Sequence, residues 1–293
     1  MRNFTLSLLA AALVWNVNAL AADKKIVFIA GVASHGPGEH EHRAGCLLLK
    51  SCLDQAGGFT SVVYSNGWPA DATAFDGAAA IVIYADGGGG HPFLQADHLK
   101  TIGALMDKGV GLAYLHYAVE PTKEKGEKEF LDWIGGAFSV NWSVNPHWDA
   151  DFNKLPEHPI TSGVNPFKIR DEWYFNMRFR EGMKGVTPIL SAVPTPDTTK
   201  RNDGPHEGNP AVRDLVARGE PVHVAWAAER VGGGRGFGFT GSHFHRNWAN
   251  DEFRKTVLNA ILWVAKAEVP KDGVQSHVTD AQMKENMDVK GKK

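Results

Sequence analysis

GVGLAYLHYAVE, residues 109–120, opens as a strand and stops at a histidine. Gly109 to Leu115 is small, apolar and uncharged, as a strand buried on both faces should be. His116 follows at once, where an α/β sheet presents side chains to a cleft. The same pattern recurs outward from this stretch. KKIVFIAG (24–31) reads as a first strand, Arg43 to Ala56 as a helix closed by Gly57 and Gly58, and Thr60 to Tyr64 as a second strand. AAAIVIYADGGGGH (78–91) is a third strand running into a glycine loop, and Leu94 to Lys108 a helix ended by Gly109. This β-α-β-β-α-β order predicts a three-layer α/β fold, a parallel sheet with helices on both faces. Right-handed crossovers would bring every strand exit to one edge, where ligands bind.

Residues 118–230 have a weaker rhythm. EFLDWIGG reads as a short helix, and FSVNWSVN and WDADF as strands with polar faces. DEWYFNMRF (171–179) alternates like a strand, so a β-rich insertion is expected. Residues 194–210 form a long polar loop, a length typical of a lid, a binding segment or disorder. HVAWAAERVGGGRGFGFTG (223–241) reads as a hairpin, and Glu252 to Ala265 as a last amphipathic helix. The polar tail from Lys266 is expected to carry little structure. The domain plan is a leader at 1–21, one domain at 22–270 and a tail at 271–293.

Formal net charge is -2 over 293 residues, which leaves no electrostatic case for nucleic acid. Arg2, the apolar run Leu6 to Val14 and the small residues Ala19, Ala21 and Ala22 have the layout of a cleaved secretory leader. The run is too short to span a bilayer. Export to the periplasm or the extracellular space is therefore expected, with no membrane association after cleavage. The two cysteines, Cys46 and Cys52, lie six residues apart on one expected helix. A rise of about 9 Å and a turn of about 240° put them beyond disulfide reach, so free thiols are expected.

Candidate chemistry gathers in four segments. SHGPGEHEH (34–42) follows the first strand; in extended backbone His40 and His42 share a side, and with Glu39 or Glu41 they could hold a divalent metal. Alternatively the glutamates orient the histidines rather than bind the ion, and a solvated loop capping the first helix is the plainer reading. His116 is the second element, with a hydrogen-bonded core histidine as its plainer reading. In GSHFHRNW (241–248), His243 and His245 again share a side if extended. Asn145 to Trp148, with Asp171 to Tyr174, set aromatics beside polar groups as sugar-binding sites do, and as half-buried strands also do. No Lys-Ser/Thr follows Gly87 to Gly90, which argues against a P-loop, and GFGFTG (236–241) ends a hairpin rather than opening a dinucleotide fold. No nucleotide cofactor is expected.

SHGPGEHEHRAGCLLL, AIVIYADGGGGHP, GVGLAYLHYAVE, NWSVNPHW, DEWYFNMRF and GFGFTGSHFHRNWANDEFRKTVLNAILW together resemble the ThuA-like family, named for trehalose utilisation, and particularly its secreted members. The likeness covers nearly the whole chain after the leader. It implies a flavodoxin-like, class I glutamine-amidotransferase-like fold. In amidotransferases the strand corresponding to GVGLAYL ends in a turn bearing a nucleophilic cysteine; here His116 stands there. An imidazole does not readily replace a thiolate in acyl transfer, so glutaminase chemistry is not expected. The resemblance implies sugar catabolism beside oxidoreductases that make 3-keto sugars, and a divalent metal, zinc first.

The expected function is thus an exported, metal-assisted carbohydrate enzyme, a lyase, hydrolase or isomerase acting on oxidised (3-keto) glycosides. His116 is expected as base or ligand and Glu172 as the second catalytic group. The metal ligands are expected among His40, His42 and His245. Substrate contacts are expected from His35, Glu120, His147 and Trp148, and from Trp173, Tyr174, His243 and Asn247. The partner is a small carbohydrate, and a homo-oligomer is compatible with the sequence. The alternative is a non-catalytic periplasmic protein that binds a sugar or a metal.

Overall fold

In chain order the elements are β1 (Lys24–Ala30), α1 (His42–Ala56), β2 (Phe59–Tyr64), β3 (Ala78–Tyr84), α2 (His98–Asp107), β4 (Gly111–Leu115), α3 (Glu127–Ile134) and β5 (Gly136–Ala137). They continue as β6 (His147–Phe152), β7 (Phe167–Glu172), β8 (Arg178–Phe179), β9 (Val186–Ala192), α4 (Pro210–Ala217), β10 (Val222–Glu229), β11 (Arg235–Phe239) and α5 (Asp251–Val264). The computed structural model describes residues 23–291, so the expected leader at 1–21 lies outside the described residues.

Seven strands form the main sheet in the order β2-β1-β3-β4-β11-β10-β9. β1 is fully apolar over its last five residues, and its side chains divide between two faces. Ile26, Phe28 and Ala30 pack with Cys46 and Leu49 of α1 and with Val257 and Ile261 of α5. Val27 and Ile29 pack with Ile102 of α2 and with Phe130 and Ile134 of α3. That is the period-two division of a strand covered by helices on both sides. Each such large aliphatic side chain contributes roughly 1.5–3 kcal/mol by leaving water.

The sheet is mixed, which corrects the all-parallel expectation. β1, β2, β3, β4 and β11 run parallel, whereas β10 pairs antiparallel with β11 and with β9. A tight hairpin reverses the chain, so the 223–241 hairpin necessarily adds an antiparallel strand. β9 closes the edge, and its central Pro188 is tolerated there because an edge strand can spare an N–H. The insertion contributes two small antiparallel pairs, β5–β8 and β6–β7. FSVNWSVN is not a strand; only a bridge between Val144 and Phe175 survives of it. The strand expected over 171–179 ends at Glu172. α4 was not foreseen; Asn209 caps it by accepting from Val212 N, and Pro210 opens it. The tail is ordered against the domain, with Val274 in the core and its N–H given to Asn259. Cys46 and Cys52 are buried free thiols on α1.

Candidate metal centre and cleft

The exits of β1, β3, β4 and β11 lie on one edge because these strands are parallel. Chain connections diverge at β1 and β3, which is where an open α/β sheet leaves a crevice. β1 leads to the loop bearing His35 and His40, β3 to Asp86, β4 to His116, and β11 to Thr240 and His243. β7 delivers Glu172 to the same place. His35, His40, His116 and Ser242 all take positive φ (57°, 45°, 56° and 85°), a backbone state that costs side-chain-bearing residues of order 1 kcal/mol or more. Two glycines permit the close approach of these exits. A Cβ on Gly87 would sit 2.2 Å from the Tyr117 carbonyl oxygen, and one on Gly241 2.5 Å from the Trp173 ring.

Four side chains converge. His40 Nε2 lies 3.0 Å from His116 Nε2 and 3.0 Å from His243 Nδ1. Glu172 Oε2 lies 3.0 Å from His243 Nδ1 and 3.4 Å from His116 Nε2. One ligand atom from each of the four falls within 4.8 Å of all the others. Around a tetrahedral zinc at about 2.1 Å, neighbouring donors stand about 3.4 Å apart, so the cluster has the right size for such an ion.

Tautomers sharpen this. His116 Nδ1 is 2.7 Å from the Thr240 carbonyl oxygen, which only accepts, so Nδ1 carries the hydrogen. His40 Nδ1 is 2.7 Å from Asp86 Oδ1 and likewise donates. In the neutral rings both Nε2 atoms therefore present lone pairs to each other at 3.0 Å. Burial holds His40 down to about 2, so it does not resolve this contact by taking a second proton. A cation between the rings would. The second nitrogen of each ring is fixed by a carbonyl or carboxylate, as in carboxylate–histidine–metal arrangements. Burial lowers His243, but the adjacent Glu172 outweighs it and the imidazole is raised. Burial also pushes Glu172 upward, and the bonds to His116, His147 and His243 reverse this and hold it far below the usual carboxylate range. Asp86 is held low in the same way, mainly by His40 against the effect of burial.

The structure brings His40, His116, Glu172 and His243 together, and sets His42 and His245 apart from them. The shared side expected of each His-x-His pair requires extended backbone. His42 is instead the first residue of α1, and His245 opens a 3-10 turn, so each second histidine rotates away. His42 Nδ1 donates to Val32 O, and His245 faces the backbone of Met283. His35 stacks on His40 with ring centres 3.5 Å apart. Tyr174 reaches the cluster, its hydroxyl 3.1 Å from His116 Nε2 and 3.3 Å from Glu172 Oε2.

Beside Glu172 opens a cleft of about 650 Å³ lined by Asn145, His147, Arg170 and Arg201 among others. β6 alternates, so His147 faces the cleft while Trp148 turns into the core and bonds the Trp173 carbonyl. Trp173 is fully buried against Phe152, Phe239 and Phe253. Trp173 therefore offers no face to a sugar, contrary to expectation, while Trp148 stands in the cleft wall with only 3% of its surface exposed. Asn247 is a strut, donating to the Arg170 carbonyl and to Asp171. Glu120 pairs with His206 at 3.0 Å; burial raises Glu120, and the bond to Glu120 raises His206.

Sequence reasoning missed Asp86 and His206, and placed Asp171 in a candidate segment without giving it a role. Asp86 ends the third apolar run on the same edge as His116, a signal that was available. Asp171 is buried and accepts from Ser242 N at 2.7 Å, Asn247 Nδ2 at 2.9 Å and Glu172 N at 2.8 Å, so it fixes both sides of His243. His206 sits in a polar loop with no pattern that marks it.

Residues 30–264 match the family described as ThuA, trehalose utilisation. No curated protein matches the chain. Among solved structures, a ThuA-like protein from Bacteroides uniformis is 16% identical, with a TM-score of 0.60 over 84% of this chain and 93% of its own. A ThuA-like protein from Parabacteroides merdae is 15% identical, with a TM-score of 0.55 over 89% and 99%. At such identities the likeness speaks to the fold.

Proposed function

The chain belongs to the ThuA family, and on that premise we propose that it is a zinc-assisted carbohydrate lyase acting on 3-keto glycosides. The observation that carries the reading is the set of four donor atoms gathered beside the cleft. His40, His116, His243 and Glu172 would hold the ion. Bound there, and taking a substrate ketone oxygen in addition to the four protein donors, it would polarise that oxygen and stabilise the negative charge that develops on it.

The remaining roles belong to the chain. His116 has Nδ1 on a carbonyl and Nε2 within the cluster, so it has no nitrogen left for a substrate proton. His147 does: its side chain is 40% exposed, it lines the cleft, and its Nε2 is 3.6 Å from Glu172 Oε1. A ketone at C3 acidifies the hydrogen at C2, and an imidazole suits its removal near neutral pH. The C2 hydrogen passes to His147 as a proton. Its electron pair forms the C1=C2 bond as the C1–O bond breaks, and the departing oxygen takes a proton from solvent water in the open cleft and leaves as an alcohol. Asn145 and Arg201, hydrogen-bonded to each other at 3.0 Å, offer polar contacts to sugar hydroxyls.

Export is part of the same proposal, supported by Arg2 and the apolar run Leu6 to Val14. No helix among the described residues is long and apolar enough to cross a membrane. Incubation with 3-keto disaccharides tests the reaction. Turnover that stops with a chelator and returns with zinc is expected. Absence of turnover in either condition, across several linkages, would overturn it.

A further inference from the structure

The tail beyond the family match returns to the back of the metal loop. After α5 it is pinned at several points. Ser276 takes a bond from Arg254 at 2.9 Å, His277 N donates to Gln55 at 3.1 Å, and the Asn286 carbonyl accepts from Arg43 at 3.3 Å. Asp288 N then donates to Glu41 Oε2 at 2.8 Å. Lys290 ends the run with its ammonium buried. It lies 3.2 Å from Glu41 Oε1 and donates to the carbonyl of Glu39 and, at 3.3 Å, to that of His40.

Glu41 is itself only 1% exposed at its side chain, and its Oε1 also accepts from Gly38 N at 2.9 Å. Lys290 therefore neutralises a buried carboxylate that clamps one side of His40, and bonds the His40 carbonyl directly. His40 keeps a positive φ, a strained state that lasts only where its surroundings over-determine it. Without the ammonium, Glu41 would be a buried charge with no counter-ion and would turn toward water, releasing Gly38 N. The ligand nitrogen of His40 would then lose its fixed place.

We propose that Lys290, acting through Glu41 and the His40 carbonyl, is a positioning residue for the metal centre, and that the segment 274–290 is the strap that delivers it. The inference rests on the metal reading of this site. Outer partners of metal ligands typically set affinity by about 10–100-fold, so a loss of that order is expected when the strap's charge is removed.

The test uses the full chain and Co²⁺ as the probe, with dissociation constants from competition against a chromophoric chelator. Lys290→Met and Glu41→Gln should weaken Co²⁺ binding by about 10–100-fold and alter its visible spectrum. Lys290→Arg should restore both to near the parent. Hydrogen exchange of the metal-free chain supplies a second readout: the amides of Gly38, His40 and His42 should exchange faster in Lys290→Met. Unchanged Co²⁺ affinity and spectrum in both variants would overturn the proposal. If the parent itself binds no Co²⁺, the metal reading fails. The strap is then judged by exchange alone, where faster loop exchange in Lys290→Met supports it and unchanged exchange refutes it.

Discussion

Two segments of this molecule carry the same three-residue pattern and are held in opposite ways. The loop of His40 and His42 leaves β1, and the segment of His243 and His245 leaves β11. They bond across to each other, His40 N to the His243 carbonyl and His245 N to the Gly38 carbonyl. In each, the first histidine enters the cluster and the second starts a helical turn. The β11 segment is held from inside, by Asp171 at the centre of three short bonds. The β1 segment is held from its flanks, by Asp86 on one side and by Glu41 with Lys290 on the other. An interior clamp serves the fold as well as the site, whereas flanking clamps serve mainly the site.

The largest effect should come from the interior clamp. Asp171→Ala leaves the amides of Ser242 and Glu172 without an acceptor and takes from Asn247 Nδ2 one of its two, the Arg170 carbonyl remaining, at about 1–3 kcal/mol for each buried hydrogen-bonding group left unmatched. Thermal unfolding should show a loss of at least about 3 kcal/mol together with loss of the metal site. A stable variant with an intact site would remove the contrast.

Within the β1 segment the two histidines should separate cleanly. His40→Ala should cut metal affinity by more than about 100-fold with the fold retained, since one of four donors is gone. His42→Ala should leave affinity within a few-fold and lower stability instead, because its ring is buried and bonded to Val32 O. Isothermal titration and melting of the pair decide this. Equal losses of affinity would mean that His42 also ligates. Asp86→Asn comes next, with a loss of about 10–100-fold in metal affinity, because the ring of His40 keeps its place but loses its carboxylate.

These contrasts also explain what the sequence could reveal. KKIVFIAG, AIVIYADG and GVGLAYLH were legible because strands buried on both faces have little choice but to be apolar. His116 was legible because such a strand ends abruptly in it. Parallel strand exits alone brought the 34–42 loop and the 241–248 segment to one edge, but His243 was expected to touch substrate, whereas it joins His40 in the donor set. The second histidine of each pair was misplaced because the side-chain period changes from two to about three where a helical turn begins. Trp173 was misread because aromatics beside polar residues look alike whether the ring faces a sugar or a core. The strap escaped notice because its anchors are scattered polar bonds to Arg254, Gln55 and Glu41, which leave no periodicity in a polar stretch.

The smallest effect concerns the loop over the cleft. His206 is raised chiefly by its bond to Glu120, with weaker pulls in the same direction from Glu207 and Glu172, and Glu120 is itself raised by burial. A raised folded-state value contributes stability below the ordinary value and loses it as pH rises through the shifted one. The tie between residues 194–210 and the sheet should therefore weaken as pH rises past the ordinary imidazole value of 6.5. Limited proteolysis between Thr195 and Gly204 should speed up across that range, and His206→Gln should remove most of the dependence. A rate that falls with pH would contradict the assignment of this pair.

The central claim is that His40, His116, His243 and Glu172 form one metal site. X-ray absorption on the purified full chain after equilibration with zinc tests it most directly. The account predicts one ion per chain bound by three imidazole nitrogens and one carboxylate, at about 2.0–2.2 Å, and lost in His116→Ala. A chain that retains no ion, or one whose ion and coordination survive His116→Ala unchanged, would contradict it.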